Sequence, residues 1–113
     1  MTAQTISILL VDGSPLGVRI AEMGNTVTQA IAIPRKEWNE AKRKPEVSEI
    51  ENVGIYFLLS NPADDGQYDL YIGKSSNIRN RIDQHMTDDT KDYWNHAVCF
   101  VARGGSLNTA HAD

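Results

Sequence analysis

Residues 53–60 (VGIYFLLS) are the most strand-like run in the chain. A second run, Tyr68–Ile72 (YDLYI), follows a loop dense in turn formers, Asn61-Pro62-Ala63-Asp64-Asp65-Gly66. Two apolar runs this close predict an antiparallel hairpin over 53–72 with an acidic tip. Gly73 is expected to break its second strand. Ser75, Ser76 and Asn77 are each good N-cap residues. Ile78, Ile82 and Met86 then recur at i, i+4 and i+8, the buried stripe of a helix. His96–Arg103 (HAVCFVAR) reads as a third strand of the same sheet, with a turn at Gly104-Gly105. This order confines residues 52–113 to a small antiparallel sheet with a helix on its face.

The first third reads differently. Thr5–Val11, Gly17–Met23 and Thr26–Ile33 are short strand candidates, separated by turn signals at Asp12-Gly13-Ser14-Pro15 and Gly24-Asn25. They predict an antiparallel meander. Pro34 then opens a helix through Glu37–Lys42 that Pro45 ends. The fold class is therefore α/β (α+β): a central antiparallel sheet flanked by helices, preceded by a meander and helix. The organisation is residues 1–51, meander plus helix, and residues 52–113, the hairpin–helix–strand unit.

Composition excludes several classes. At 113 residues, 41% hydrophobic and 23% charged, the chain is one globular domain with at most a small appendage, and not a disordered or fibrous protein. A single cysteine, Cys99, excludes an intrachain disulfide and fits a cytoplasmic setting. No apolar run approaches the roughly 20 residues needed to span a bilayer, so no membrane partner is expected. The N-terminus lacks a basic start before its apolar run and does not read as a signal peptide. The net charge of -4 argues against a strongly basic DNA coat. It leaves a nuclease open, because a catalytic groove needs local charge.

Four chemistries compete around residues 54–86. Gly73-Lys74-Ser75 looks like the end of a phosphate loop, but the glycine required five residues earlier is Tyr68. His85, His96 and His111 lack metal-ligand spacing. Cys99, between Val98 and Phe100, reads as core and not as a nucleophile. The fourth is a constellation. Gly54-Ile55-Tyr56 lies on the first hairpin strand and Tyr71-Ile72-Gly73 ends the second. Lys74 follows at the strand-to-helix junction, where backbone N–H groups and the helix dipole favour an anion. Arg81 and His85 share a helix face at i and i+4. Two phenols, a lysine, an arginine and a histidine could converge on one phosphate.

These residues resemble the GIY-YIG nuclease superfamily, in order and spacing, over about residues 52–113. The resemblance implies a Mg²⁺-dependent DNA endonuclease of bacterial type. Tyr56 would help activate the attacking water, and Tyr71 would orient it or contact the phosphate. Arg81 would stabilise charge on the pentavalent phosphate, Lys74 would support it, and His85 would assist proton transfer or bind phosphate. A phenol with an ordinary pKa near ~10 needs nearby positive charge to act as a base at neutral pH. The complete domain is expected to use Mg²⁺ or Mn²⁺ held by one Glu on a later helix.

No acidic residue after His85 sits where that Glu should be; Asp88, Asp89 and Asp92 come too soon. The bearing helix is read as starting near Asn108 and cut at Asp113. The expectation is therefore a nuclease parent, with this chain inactive, binding no cation tightly and supplying no metal ligand. The other reading is a non-catalytic nucleic-acid-binding or protein-interaction module. The leader around Asp12-Gly13, Gly17–Glu22 and Ile33-Pro34-Arg35 is similar to that of uncharacterised bacterial members of the superfamily. Its Arg19, Arg35 and Lys36 read as surface charges, and Trp38 and Trp94 as packing.

Overall fold

The computed structural model describes residues 3, 5–23 and 27–102. The expected turns at Gly24-Asn25 and Gly104-Gly105, the strand end at Arg103, the helix start near Asn108 and His111 lie outside the described residues. Six strands form one sheet: β1 (Ile6–Leu10), β2 (Arg19–Met23), β3 (Thr28–Pro34), β4 (Gly54–Leu59), β5 (Leu70–Ser75) and β6 (His96–Ala102). Their order across the sheet is β1-β2-β3-β6-β4-β5, and every pair is antiparallel.

The meander β1-β2-β3 is as expected, and so is the β4–β5 hairpin. The meander does not lie over the other strands. It continues their sheet, because β6 inserts between β3 and β4. Cys99 faces Ile31 across one pair and Tyr56 across the other. Strand alternation sends Ile20, Ile31, Ile33, Tyr56, Leu58, Ala97, Cys99 and Val101 to one face, where all are buried. Burying each larger aliphatic side chain contributes about 1.5–3 kcal/mol.

Helical segments cover that face. A 3-10 turn, Arg35–Glu37, leads into one α-turn, α1 (Trp38–Ala41). The helix expected after Pro34 is thus shorter than its composition suggests. Pro45 opens a further 3-10 segment, Pro45–Glu51, because its ring suits a first helical position. Trp38, Ala41, Val47 and Ile50 project from these segments into the core. The main helix, α2 (Ile78–Met86), begins where Asn77 Oδ1 accepts from the Asn80 amide at 3.0 Å. Such a cap is worth about 0.5–2 kcal/mol. Ile78 and Ile82 are fully buried, and Met86 packs against the same core.

The opposite face carries Ile8, Leu70, Ile72 and Phe100, all exposed, with the Phe57 ring tilted against that of Phe100 at 5.4 Å between ring centres. No helix of the described residues is long and apolar enough to cross a membrane.

Candidate active site

Tyr56 sits in the middle of β4 and points to the covered face, 1% exposed. Leu58 faces Tyr71 across the β4–β5 pair, so Tyr71 lies on that same face one step along from Tyr56. The two phenol rings are 6.1 Å apart. α2 packs on β4 and β5 and brings down His85, which is 3% exposed. Its Nε2 is 2.8 Å from the Tyr56 hydroxyl, and its ring is 5.2 Å from that of Tyr71. The isoleucine stripe identified the helix, but His85, displaced from that stripe, is nearly as buried.

Arg81, one turn earlier on α2, is exposed. It donates to Gln84 Oε1 at 2.7 Å, and its guanidinium also faces the Tyr56 and Tyr71 hydroxyls. The two phenols raise its own pKa above the ordinary value. Burial pushes the Tyr56 phenol up to about 12, against the pull of Arg81 in the other direction. Tyr56 is therefore a protonated phenol at neutral pH, hydrogen-bonded to an imidazole.

Both motif glycines are required by close approach. Gly73 lies opposite Tyr56 in the register. A Cβ at Gly73 would sit 2.4 Å from both Cζ and Oη of Tyr56, so the phenol lies across the bare backbone. This corrects the expectation that Gly73 breaks the strand: β5 runs through it to Ser75. A Cβ at Gly54 would meet Phe100 O at 2.4 Å and Ile78 Cδ1 at 2.7 Å, where β6 and the first residue of α2 press on β4. Ile55 and Ile72 alternate to the other face.

Lys74 is placed differently from the expectation. It is a residue of β5, not of the strand-to-helix junction, and it faces Ile55 across the pair. With Ile55 and Ile72 it borders a depression on the uncovered face, opposite the tyrosines. The reason is the two-residue period: Tyr71 and Lys74 are three apart in a regular strand. Tyr56, Tyr71, Arg81 and His85 gather; Lys74 does not join them.

The matching comparison is specific. The family model of the GIY-YIG catalytic domain matches residues 52–108. The chain belongs to the GIY-YIG family. Neither a curated protein nor a solved structure gave a match.

GIY-YIG nucleases generally use a divalent metal ion, whose hard charge calls for carboxylate ligands. The four gathered residues include no carboxylate. Among the described residues, no group of three or more His, Cys, Asp or Glu side chains is placed to hold a metal. The described residues that gather here therefore supply no carboxylate ligand to a metal ion. His96 Nε2 lies 3.1 Å from Asn61 Oδ1 and is not among the residues that gather around Tyr56. Cys99 is fully buried, which pushes its thiol up to about 12 and makes it inert core.

Two features of this GIY-YIG site had no sequence signal. Asp83 accepts from Trp38 Nε1 at 2.8 Å and from Lys42 Nζ at 2.9 Å, tying α1 to α2. Tyr93 packs against the same core as Tyr71, its phenol raised by burial and by Asp69 and Tyr71 nearby. Both join residues that only the tertiary fold brings together.

Proposed function

We propose that this GIY-YIG domain belongs to a protein that hydrolyses phosphodiester bonds in DNA as an endonuclease, with Mg²⁺ or Mn²⁺ as the supporting cation, for which the four gathered residues supply no carboxylate ligand. The observation that carries the reading is the buried 2.8 Å contact between Tyr56 Oη and His85 Nε2, beside Tyr71 and Arg81. A phenol raised to about 12 does not hold a useful phenolate population at neutral pH. The imidazole supplies the missing acceptor. Tyr56 takes a proton from the attacking water while its own proton passes to His85 Nε2, so positive charge ends on the imidazolium; the water oxygen forms the new P–O bond as the bond to the leaving sugar oxygen breaks, and that oxygen takes a proton from solvent. Tyr71 orients the water. Arg81, exposed and aimed at both phenols, holds a non-bridging phosphate oxygen and neutralises the charge that develops there. Lys74, on the other face of an edge strand, contacts the nucleic-acid backbone and not the reacting phosphate. No step is assigned to the cation.

The test is cleavage of plasmid and branched DNA with Mg²⁺ or Mn²⁺ present, comparing wild type with Tyr56→Phe and Arg81→Ala. Loss of cutting in both variants supports the reading; undiminished cutting overturns it. A second reading, a binding module of the same fold, is favoured by the acidic hairpin tip, where Asp64, Asp65 and Asp69 are all exposed. Salt-dependent DNA binding without any cleavage selects it.

A further inference from the structure

We infer that Arg35 is a positioning residue that holds the Tyr56–His85 pair in register. The inference rests on the nuclease reading for its kinetic consequence only. The helix α2 has nine residues and ends one position after His85. The carbonyls of Gln84 and His85 accept from the amides of Thr87 and Asp88 just past its end, and the next carbonyl, that of Met86, is the one Arg35 reaches. The chain then returns through residues 87–95 to begin β6.

Arg35 grips both sides of that exit. Its Nη1 donates to Asp92 O at 3.0 Å and Trp94 O at 3.3 Å, and Nη2 reaches Met86 O at 3.5 Å. The guanidinium also lies 4.5 Å from the centre of the buried Trp94 ring. The Arg35 amide donates to Asn95 O at 2.8 Å. One residue, the first after β3, thus ties the end of α2, the return segment and the start of β6. A cation beside helix C-terminal carbonyls is also favoured by the helix dipole.

A second grip lies on the other side of His85. Asp83, two residues before it, is bound by Trp38 of α1 and by Lys42 just past the end of α1. His85 is therefore bracketed by two ties to residues 35–42, which share no covalent neighbour with it. The Tyr56–His85 contact has little tolerance, since a displacement of 1 Å takes a hydrogen bond out of range. Lysine does not substitute for this fork. An ammonium is a point charge, whereas the planar guanidinium spans several carbonyls and stacks on an indole. This gives the leader segment a role in the site that its sequence, read as surface charge, did not suggest.

The experiment uses the full chain, ¹⁵N-labelled, as wild type, Arg35→Lys and Arg35→Gln. Circular dichroism establishes that each variant is folded, and Arg35→Lys is the milder of the two should Arg35→Gln fail. The first readout is the pair of His85 ring-nitrogen signals, which report its tautomer without any reaction. Wild type is expected to show one fixed tautomer, and a folded variant the averaged signals of a free imidazole. The second readout is DNA cleavage, where kcat is expected to fall roughly 10- to 100-fold with KM little changed. Unchanged His85 signals in a folded variant overturn the inference. So does full recovery of both readouts by Arg35→Lys, which would mean that charge alone suffices. If wild type cuts no DNA, the kinetic readout falls away, and the His85 signals alone decide for or against the positioning of the pair by Arg35.

Discussion

Gly73 lies directly across the β4–β5 pair from Tyr56, and the Tyr56 hydroxyl occupies the space that a side chain at position 73 would fill. The second motif is thus partly a mould for the first. A glycine in a strand normally weakens it. Here it lets a buried phenol lie flat on its neighbour strand and reach His85.

Gly73→Ala is therefore expected to displace the Tyr56 ring. Overpacking of this kind costs about 1–3 kcal/mol of stability. DNA cleavage should fall further than that loss explains, because the proton acceptor is moved as well. Thermal melts beside cleavage rates check this. Near-wild-type cleavage by a folded Gly73→Ala protein would contradict the role given to Tyr56.

Tyr56→Phe keeps the ring and removes the hydroxyl. The expected loss of cleavage is about 10²- to 10⁴-fold, the range of a general acid–base group. It also leaves buried His85 Nε2 without its phenol partner, a stability cost of about 1–3 kcal/mol. Single-turnover rates and urea melts on the same preparation separate the two effects.

The alkaline limit of stability has a defined sign. Burial raises the Tyr56 phenol from 10.0 to about 12 and the Cys99 thiol from 9.0 to about 12. In both cases the unfolded chain ionises first. Below pH 9 neither group contributes a pH dependence; between pH 9 and 12 stability falls as the unfolded state loses protons that the folded state keeps. Denaturant melts should show this decline, and phenolate absorbance should show one tyrosine titrating last. Tyr56→Phe should remove that last phase.

Arg81→Ala and Lys74→Ala are expected to differ. Arg81 faces the phenols from α2, whereas Lys74 points from the other face of β5. Removing Arg81 should lower kcat by about 10²-fold or more, in line with loss of one charge-stabilising donor. Removing Lys74 should leave kcat within a few-fold and act mainly on DNA affinity. Equal losses of kcat would place Lys74 at the reacting phosphate after all.

The parts legible in the sequence were those with a local period. The Ile78/Ile82 spacing located α2, the β-branched runs located β1, β3, β4 and β6, and the two tripeptides with Arg81 and His85 named the four residues that gather. As a residue type Gly73 signals a strand end, whereas in the fold it marks a close approach and β5 continues through it. The strand alternation that continues past Gly73 is what turns Lys74 to the other face. The neighbours of β6 and the reach of Arg35 had no local signal at all. They depend on residues more than fifty positions apart, such as Arg35 with Met86, Asp92 and Trp94.

The placement of β6 also governs the order in which the molecule can form. It is the last described strand along the chain yet lies between β3 and β4, so Thr28 waits for Ala102 and Leu59 for His96. Until that strand emerges during synthesis, the meander and the hairpin each expose an open edge and an apolar face. Closure then depends on contacts distant along the chain, which slows folding relative to a helical bundle of the same size. The interval before closure is when nascent copies are most prone to pair with one another.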